Sequence, residues 1–396
     1  MIQRHPSFSS ELATIPELRK HRLRRIYLTT AVQNLLNLST DTTLFPWARR
    51  TPTDGLRATI AVALALLIGK FAGHPAAGAI AAAAAYSVGF AVFHEALAST
   101  LLSMGLLTLG IASATLAGSL CAQWTWAVLL LAVVAAINYA LLSDLSATAG
   151  WIGQQCAVYV VVASYFSQGL HYAVGRTSMV LAGGALQMLV FTVFHFLRHR
   201  AAEANAPPLT KRLRLRVAQL VTRLRDQLHP SHATASYTLR LAITLLLCTA
   251  IYRHYHVRNG YWSPMTGLLV LKPQWTSTLS RGIARFLGTL VGAGIAFLIA
   301  LYIPLTTPVV FVLIIVFAWA SIALQAVNYA AFSLFVTLYI VCLFHFGGFS
   351  EASAAHIRLF NTALGGAIAL LVDATGKLIA RQTASSRSST SANFVQ

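Results

Sequence analysis

The chain has 396 residues, of which 57% are hydrophobic and only 10% charged, and it carries a formal net charge of +19. A soluble domain carries roughly 25% charged residues, so this composition excludes an ordinary water-soluble enzyme or binding module and places the chain in a bilayer. The basic excess has no aromatic-basic binding motif beside it, so it reads as topology and contact with anionic lipid rather than nucleic-acid binding.

Residues 1–56 form a basic segment with eight Lys or Arg. They lack the apolar core and small-residue cleavage site of a secretory signal. Ile26, Leu28, Val32, Leu35, Leu36 and Leu38 follow basic residues, a pattern that predicts a helix lying on the membrane face. A first transmembrane half, 57–198, holds apolar runs at 57–72, 76–93, 97–120, 123–142, 150–168 and 176–197. A basic linker, 199–235, has seven Lys or Arg, with Leu213, Val217, Leu220, Leu224 and Leu228 at the spacing of an interfacial helix. The second half, 236–380, has runs at 236–254, 261–276, 284–303, 307–326, 329–346 and 357–380. Residues 381–396 are polar and Ser/Thr-rich, a composition that predicts disorder.

The expected fold is therefore an all-α polytopic membrane bundle of about twelve spans. Several runs lie near the ~17-residue lower limit for a spanning helix. The weakly apolar Ala76–Ala85 stretch reads equally as a broken or re-entrant helix, which leaves a count of ten or eleven. The three basic segments share one side only if each half crosses an even number of times, which puts both termini in the cytoplasm.

The two halves repeat one another. Leu56-Arg57 recurs as Leu239-Arg240 and Gly105 as Gly288, both at an offset of 183 residues. Arg176 followed by Gly183-Gly184-Ala185 recurs as Arg358 followed by Gly365-Gly366-Ala367, at an offset of 182. Two six-helix units of even span number make a parallel repeat, with a substrate path expected along their seam, and Gly183-Gly184 and Gly365-Gly366 are candidates to face it.

Charge inside the spans locates the candidate site. An arginine at bilayer centre costs about 3 kcal/mol on insertion scales, so each one needs a reason. Arg57 and Arg240 open equivalent spans at one end, and Arg176 and Arg358 open equivalent spans at the other. Each is explained either by snorkelling or by an anion path with positive charge at both mouths. Arg281 and Arg285 share one helix face, and Arg285, which has no counterpart in the first half, is the foremost candidate for holding a carboxylate bidentately. Asp373 pairs naturally with Lys377 one turn on, and Glu95 sits beside His94 in a turn. Either carboxylate is alternatively a proton-coupling group, with His195 a further candidate. Tyr261 and Trp262 read as interface anchors or as a stacking wall for a flat ring. Pro264 and Pro273 make that span irregular. Cys121, Cys156, Cys248 and Cys342 have no metal-ligand or disulfide spacing and read as apolar fillers. No metal or cofactor site is expected, nor any set of enzymatic groups.

Residues 259–294, with Tyr261-Trp262, Pro273, Arg281, Arg285, Gly288, Thr289 and Gly292, resemble the signature of the fusaric acid resistance (FUSC-like) family. Arg358, Asn361, Thr362 and Gly365 resemble its closing element. The family includes aromatic acid exporters and is distantly similar to plant malate transporters. The resemblance implies a multi-pass protein of the bacterial inner membrane that exports aromatic or other weak organic acids, with a periplasmic adaptor subunit as partner. This chain departs from the many members with a large cytoplasmic domain between the halves. The expected function is export of a small organic anion, held by Arg285 and Arg281 with Arg358 or Arg240 and stacked near Tyr261 and Trp262. The alternatives are a passive anion channel or a scaffold of an envelope complex. The oligomeric state stays open, a homo-oligomer standing beside a pore formed within one chain.

Overall fold

The structure is a computed structural model that describes residues 41–91, 97–166, 169–199, 231–346 and 351–393. The expected N-terminal surface helix, the linker helix and Glu95 lie outside the described residues. Among the described residues are twelve α-helices: α1 Pro52–Phe71, α2 Pro75–Gly89, α3 Leu97–Cys121, α4 Thr125–Leu145, α5 Ala147–Ala163, α6 Gly169–His199, α7 His232–His254, α8 Trp262–Val270, α9 Trp275–Tyr302, α10 Thr307–Leu324, α11 Tyr329–Phe346 and α12 Glu351–Asn393. Each overlaps one of the twelve apolar runs. The α12 helix continues through Asn393, over positions where composition predicts a disordered tail.

Eight of these helices are long and apolar enough to cross a membrane, so the molecule is a polytopic helical membrane protein. Against the expected count of about twelve spans, two helices are short. The α2 helix has 15 residues, short for a span. The α8 helix has nine residues, a rise of about 14 Å against the ~30 Å hydrocarbon core. Its sequence explains its shape. Pro264 is tolerated in the first turn, where backbone N–H groups have no intrahelical acceptor. Pro273 then forces the preceding residue out of helical conformation, and Leu271 is already extended at ψ 127°. Nearly every residue of α8 is buried in the bundle, and irregular backbone at membrane depth is tolerated only where protein covers it.

The helix pairings repeat as the sequence does. The contacts α2–α6, α3–α5, α3–α6 and α4–α5 recur as α8–α12, α9–α11, α9–α12 and α10–α11. The halves meet through α4 on α7 and α1 on α10, and again through α5 on α8 and α2 on α11. Close approach inside each half depends on glycine. A Cβ at Gly183 would run into the Ala81 carbonyl of α2, and one at Gly365 into the Ser263 carbonyl of α8. Ala81 and Ser263 are themselves 182 residues apart. These glycines therefore pack helices within a half, which corrects the expectation that they face the seam. At Gly366 a Cβ would meet open space.

Candidate functional site

The helices α9 and α12 start earlier than their apolar runs do, because their polar first turns lower the local hydropathy. Glu351 opens α12, so Arg358 lies two turns inside it rather than at its mouth. Trp275 opens α9, which places Arg281 and Arg285 two to three turns in. Each buried arginine then meets a different environment.

Arg240, on α7, is 9% exposed and forms an ion pair with the fully buried Asp373 of α12. Its Nη2 donates to the Pro273 carbonyl at 3.3 Å and its Nε to the Ser236 carbonyl at 3.2 Å. Gly376 makes the room, since a Cβ there would stand 2.8 Å from Arg240 Cδ. The pair thus joins α7, α12 and the end of the α8 break. Asp373 finds its counter-charge across the helix interface, and Lys377 lies over the Trp275 ring, 5.7 Å from its centroid. Arg281 is also partnered, 3.6 Å from Asp41 and over the Tyr329 ring at 3.8 Å. Arg57 reaches Asp54 at 3.1 Å and covers Phe191. Arg176 lies over the Phe166 ring at 4.2 Å and donates to the Tyr172 hydroxyl at 3.2 Å.

Arg285 and Arg358 differ from all of these. They are the two largest fully buried side chains described, 2% and 1% exposed. No carboxylate among the described residues pairs with either. Arg285 Nε and both terminal nitrogens of Arg358 have no hydrogen-bond partner, and the two guanidiniums lie close enough to repel one another. Arg358 Nε donates to Thr337 Oγ1 at 3.3 Å, and its guanidinium lies on the Trp262 indole, 4.1 Å from the centroid. Thr337 donates in turn to the Ser333 carbonyl, and Ser333 Oγ donates to the Arg285 carbonyl at 3.2 Å. Gly288 and Gly292 bring α9 against α11 so that this hydroxyl ladder joins the two arginine-bearing helices.

The pair is walled with aromatic rings. Tyr261 and Trp262, 2% and 5% exposed, are buried at the start of α8, so the interface-anchor reading does not hold. Tyr86 reaches in from α2 of the first half and lies within electrostatic reach of both guanidiniums. Its ring stacks on Tyr339 of α11 at 4.5 Å, and its hydroxyl meets Ser321 Oγ at 2.7 Å.

Of the residues singled out by sequence, the structure brings together Arg285, Arg358, Trp262 and Tyr261. Arg240 with Asp373, and Arg281 with Asp41, stand apart in pairs of their own. His195 is partly exposed and stacks on Phe191 at 6.4 Å. Sequence reasoning missed Tyr86, Ser333, Thr337 and Tyr339. The available signal was a tyrosine in the middle of an apolar run, away from any interface where its hydroxyl could reach water.

The fold and this site define a multi-pass membrane protein with a buried arginine pair that has no carboxylate partner among the described residues, an arrangement that suits an anion. Comparison with known proteins then places the second half. Residues 247–372 match the family profile described as fusaric acid resistance protein-like, as the resemblance in 259–294 implies. The matched stretch contains Tyr261, Trp262, Arg285, Tyr339 and Arg358 and ends one residue before Asp373. An uncharacterized protein of Haemophilus influenzae is 30% identical over 132 residues, 33% of this chain and 18% of that one. The inner membrane protein YccS of Escherichia coli is 29% identical over 147 residues, 37% of this chain and 20% of that one. The uncharacterized protein ORF2 of Neisseria gonorrhoeae is 23% identical over 146 residues, 35% of its length. The chain thus spans about a fifth to a third of the curated relatives it matches. No solved structure matches it.

Proposed function

We propose that the protein exports small anionic, aromatic carboxylic acids across the bacterial inner membrane. One observation carries this reading: two fully buried arginines, close enough to repel one another, with no carboxylate partner among the described residues. An uncompensated buried cation costs several kcal/mol, and two that repel cost more. A bound carboxylate relieves both penalties. It accepts paired hydrogen bonds from Arg285 and from the free terminal nitrogens of Arg358. The rings of Trp262, Tyr86 and Tyr339 offer flat apolar walls to a substrate ring. Both arginines are at most 2% exposed, so binding and release require a shift of one half against the other, the transporter mode in which a fixed site is exposed alternately.

The inner-membrane placement draws support from the printed name of the E. coli relative and from the eight apolar helices. A periplasmic adaptor as partner, and proton exchange at Asp373 or Glu95, belong to the same proposal. Asp373 Oδ2 is buried without a hydrogen-bond partner, which leaves one oxygen free to take a proton.

The test is efflux of labelled 4-hydroxybenzoate from preloaded cells. Arg285→Gln removes one charge-assisted partner and should slow efflux roughly ten- to hundredfold. Efflux equal to wild type in that variant would sink the proposal. A flux insensitive to a proton uncoupler would favour a passive anion channel.

A further inference from the structure

Arg176 and Arg358 stand 182 residues apart at matching places in the repeat, and the structure seats both on aromatic rings. The Arg358 guanidinium lies 4.1 Å from the centroid of the Trp262 indole, and the Arg176 guanidinium 4.2 Å from that of the Phe166 ring. The ion pairs among the described residues hold Arg57, Arg240 and Arg281 and leave these two without a carboxylate. A ring face stabilises a cation by about 0.5–2 kcal/mol and does not neutralise it. Both arginines also keep buried nitrogens that have no hydrogen-bond partner, Nε of Arg176 and the two terminal nitrogens of Arg358.

The rings beneath them belong to one wall that crosses the seam. Phe166, just beyond the end of α5 in the first half, lies 6.0 Å from Tyr261 of the second. Tyr261 lies 4.9 Å from Trp262 at the start of α8. Tyr165 packs beside them, 5.1 Å from Tyr261 and 5.2 Å from Phe166, and its hydroxyl accepts the Asn259 N–H at 3.0 Å. An unbroken file of rings therefore runs from one arginine to the other. Burial falls along it. Arg358, Trp262 and Tyr261 are buried, whereas Phe166 and Arg176 are partly exposed. The file leads from the closed arginine pair towards the surface of the bundle.

We propose that Arg176 is a second anion-binding station, which takes the carboxylate from Arg358 and holds it before release. This rests on the proposed function and adds the route by which the anion leaves the buried pair. A carboxylate that passes from Arg358 to Arg176 exchanges one guanidinium for another and is never stripped of counter-charge. Its apolar body stays against Tyr261 and Phe166 meanwhile. A buried site that binds well releases slowly, and a weaker station beside it eases the last step, as multiple sites do in pores. Arg176 is the weaker of the two, since it is partly exposed and already spends one donor on the Tyr172 hydroxyl at 3.2 Å.

The experiment uses the full-length protein in lipid vesicles with benzoate as the probe, and it measures equilibrium binding and transport on the same preparations. Arg176→Gln should slow transport roughly three- to tenfold, the worth of one charge-assisted hydrogen bond at a partly exposed site, and keep benzoate affinity within about twofold of wild type. Arg176→Lys keeps the charge and should restore most of the rate. Wild-type transport in Arg176→Gln overturns the inference. So does an equal loss in the Gln and Lys variants, which would assign Arg176 to helix packing, or a loss of affinity as large as that in Arg285→Gln. Arg285→Gln separates the two claims, because it should depress affinity and transport together. If it does so while the Arg176 variants miss their expected pattern, the inference fails alone. If Arg285→Gln binds and transports benzoate as wild type does, the proposed function fails and the inference with it.

Discussion

Two buried arginine sites lie on the same last helix, fifteen residues apart, and they differ in one respect. At one, Asp373 of α12 meets Arg240 of α7, and Arg240 is further held by two backbone carbonyls. At the other, Arg358 of α12 meets Arg285 of α9, and no acid among the described residues pairs with either. The first is charge-balanced without a ligand and joins α7 to α12. The second is incomplete as the chain stands, which is what a ligand site looks like when the protein supplies only half of the charges. Burial alone does not separate the two, since all four side chains are nearly or fully inaccessible. The missing counter-charge does.

That contrast can be broken by mutation, most strongly at the paired site. Asp373→Asn leaves the Arg240 charge buried and unmatched, which should cost about 3–5 kcal/mol. The readout is thermal unfolding in detergent, and the Arg240→Gln/Asp373→Asn double variant should recover much of the loss. Arg285→Gln, by contrast, removes an unmatched charge and should leave the melting temperature equal or higher. A fall of similar size in both would erase the distinction between structural pair and ligand site.

A smaller effect tests the packing that sets α8 beneath Arg358. Gly365→Ala drives a Cβ into the Ser263 backbone and should destabilise by about 1–3 kcal/mol. Its neighbour Gly366→Ala points into open space and should be neutral or stabilising by about 0.5–1 kcal/mol. Opposite signs from adjacent glycines, measured by the same melts, would confirm that α12 presses α8 with one edge only.

The smallest effect is expected at Arg281. Its pair with Asp41 is about one-third exposed on both sides, so Arg281→Gln should change stability by no more than about 1 kcal/mol and transport by less than about twofold. A large transport defect there would move Arg281 into the proposed anion site and enlarge it by one turn of α9.

The sequence by itself determined the class of molecule, the order of the apolar helices among the described residues, and the internal repeat. Hydropathy and the 182–183 residue offset are properties of the chain and survive any packing. It also picked out Arg285, Arg358 and Trp262, because an arginine or an unmatched motif in an apolar run is conspicuous before any fold is known. Only the tertiary structure decided which arginines have acids. Arg240 and Asp373 are 133 residues apart, and in the sequence Asp373 has an equally good partner in Lys377. Nor could the sequence show that Tyr86 of one half stacks on Tyr339 of the other. Pairing and stacking across distant helices depend on how close the backbones come. Here that is set by single glycines, and local pattern holds no record of which helix lies opposite them.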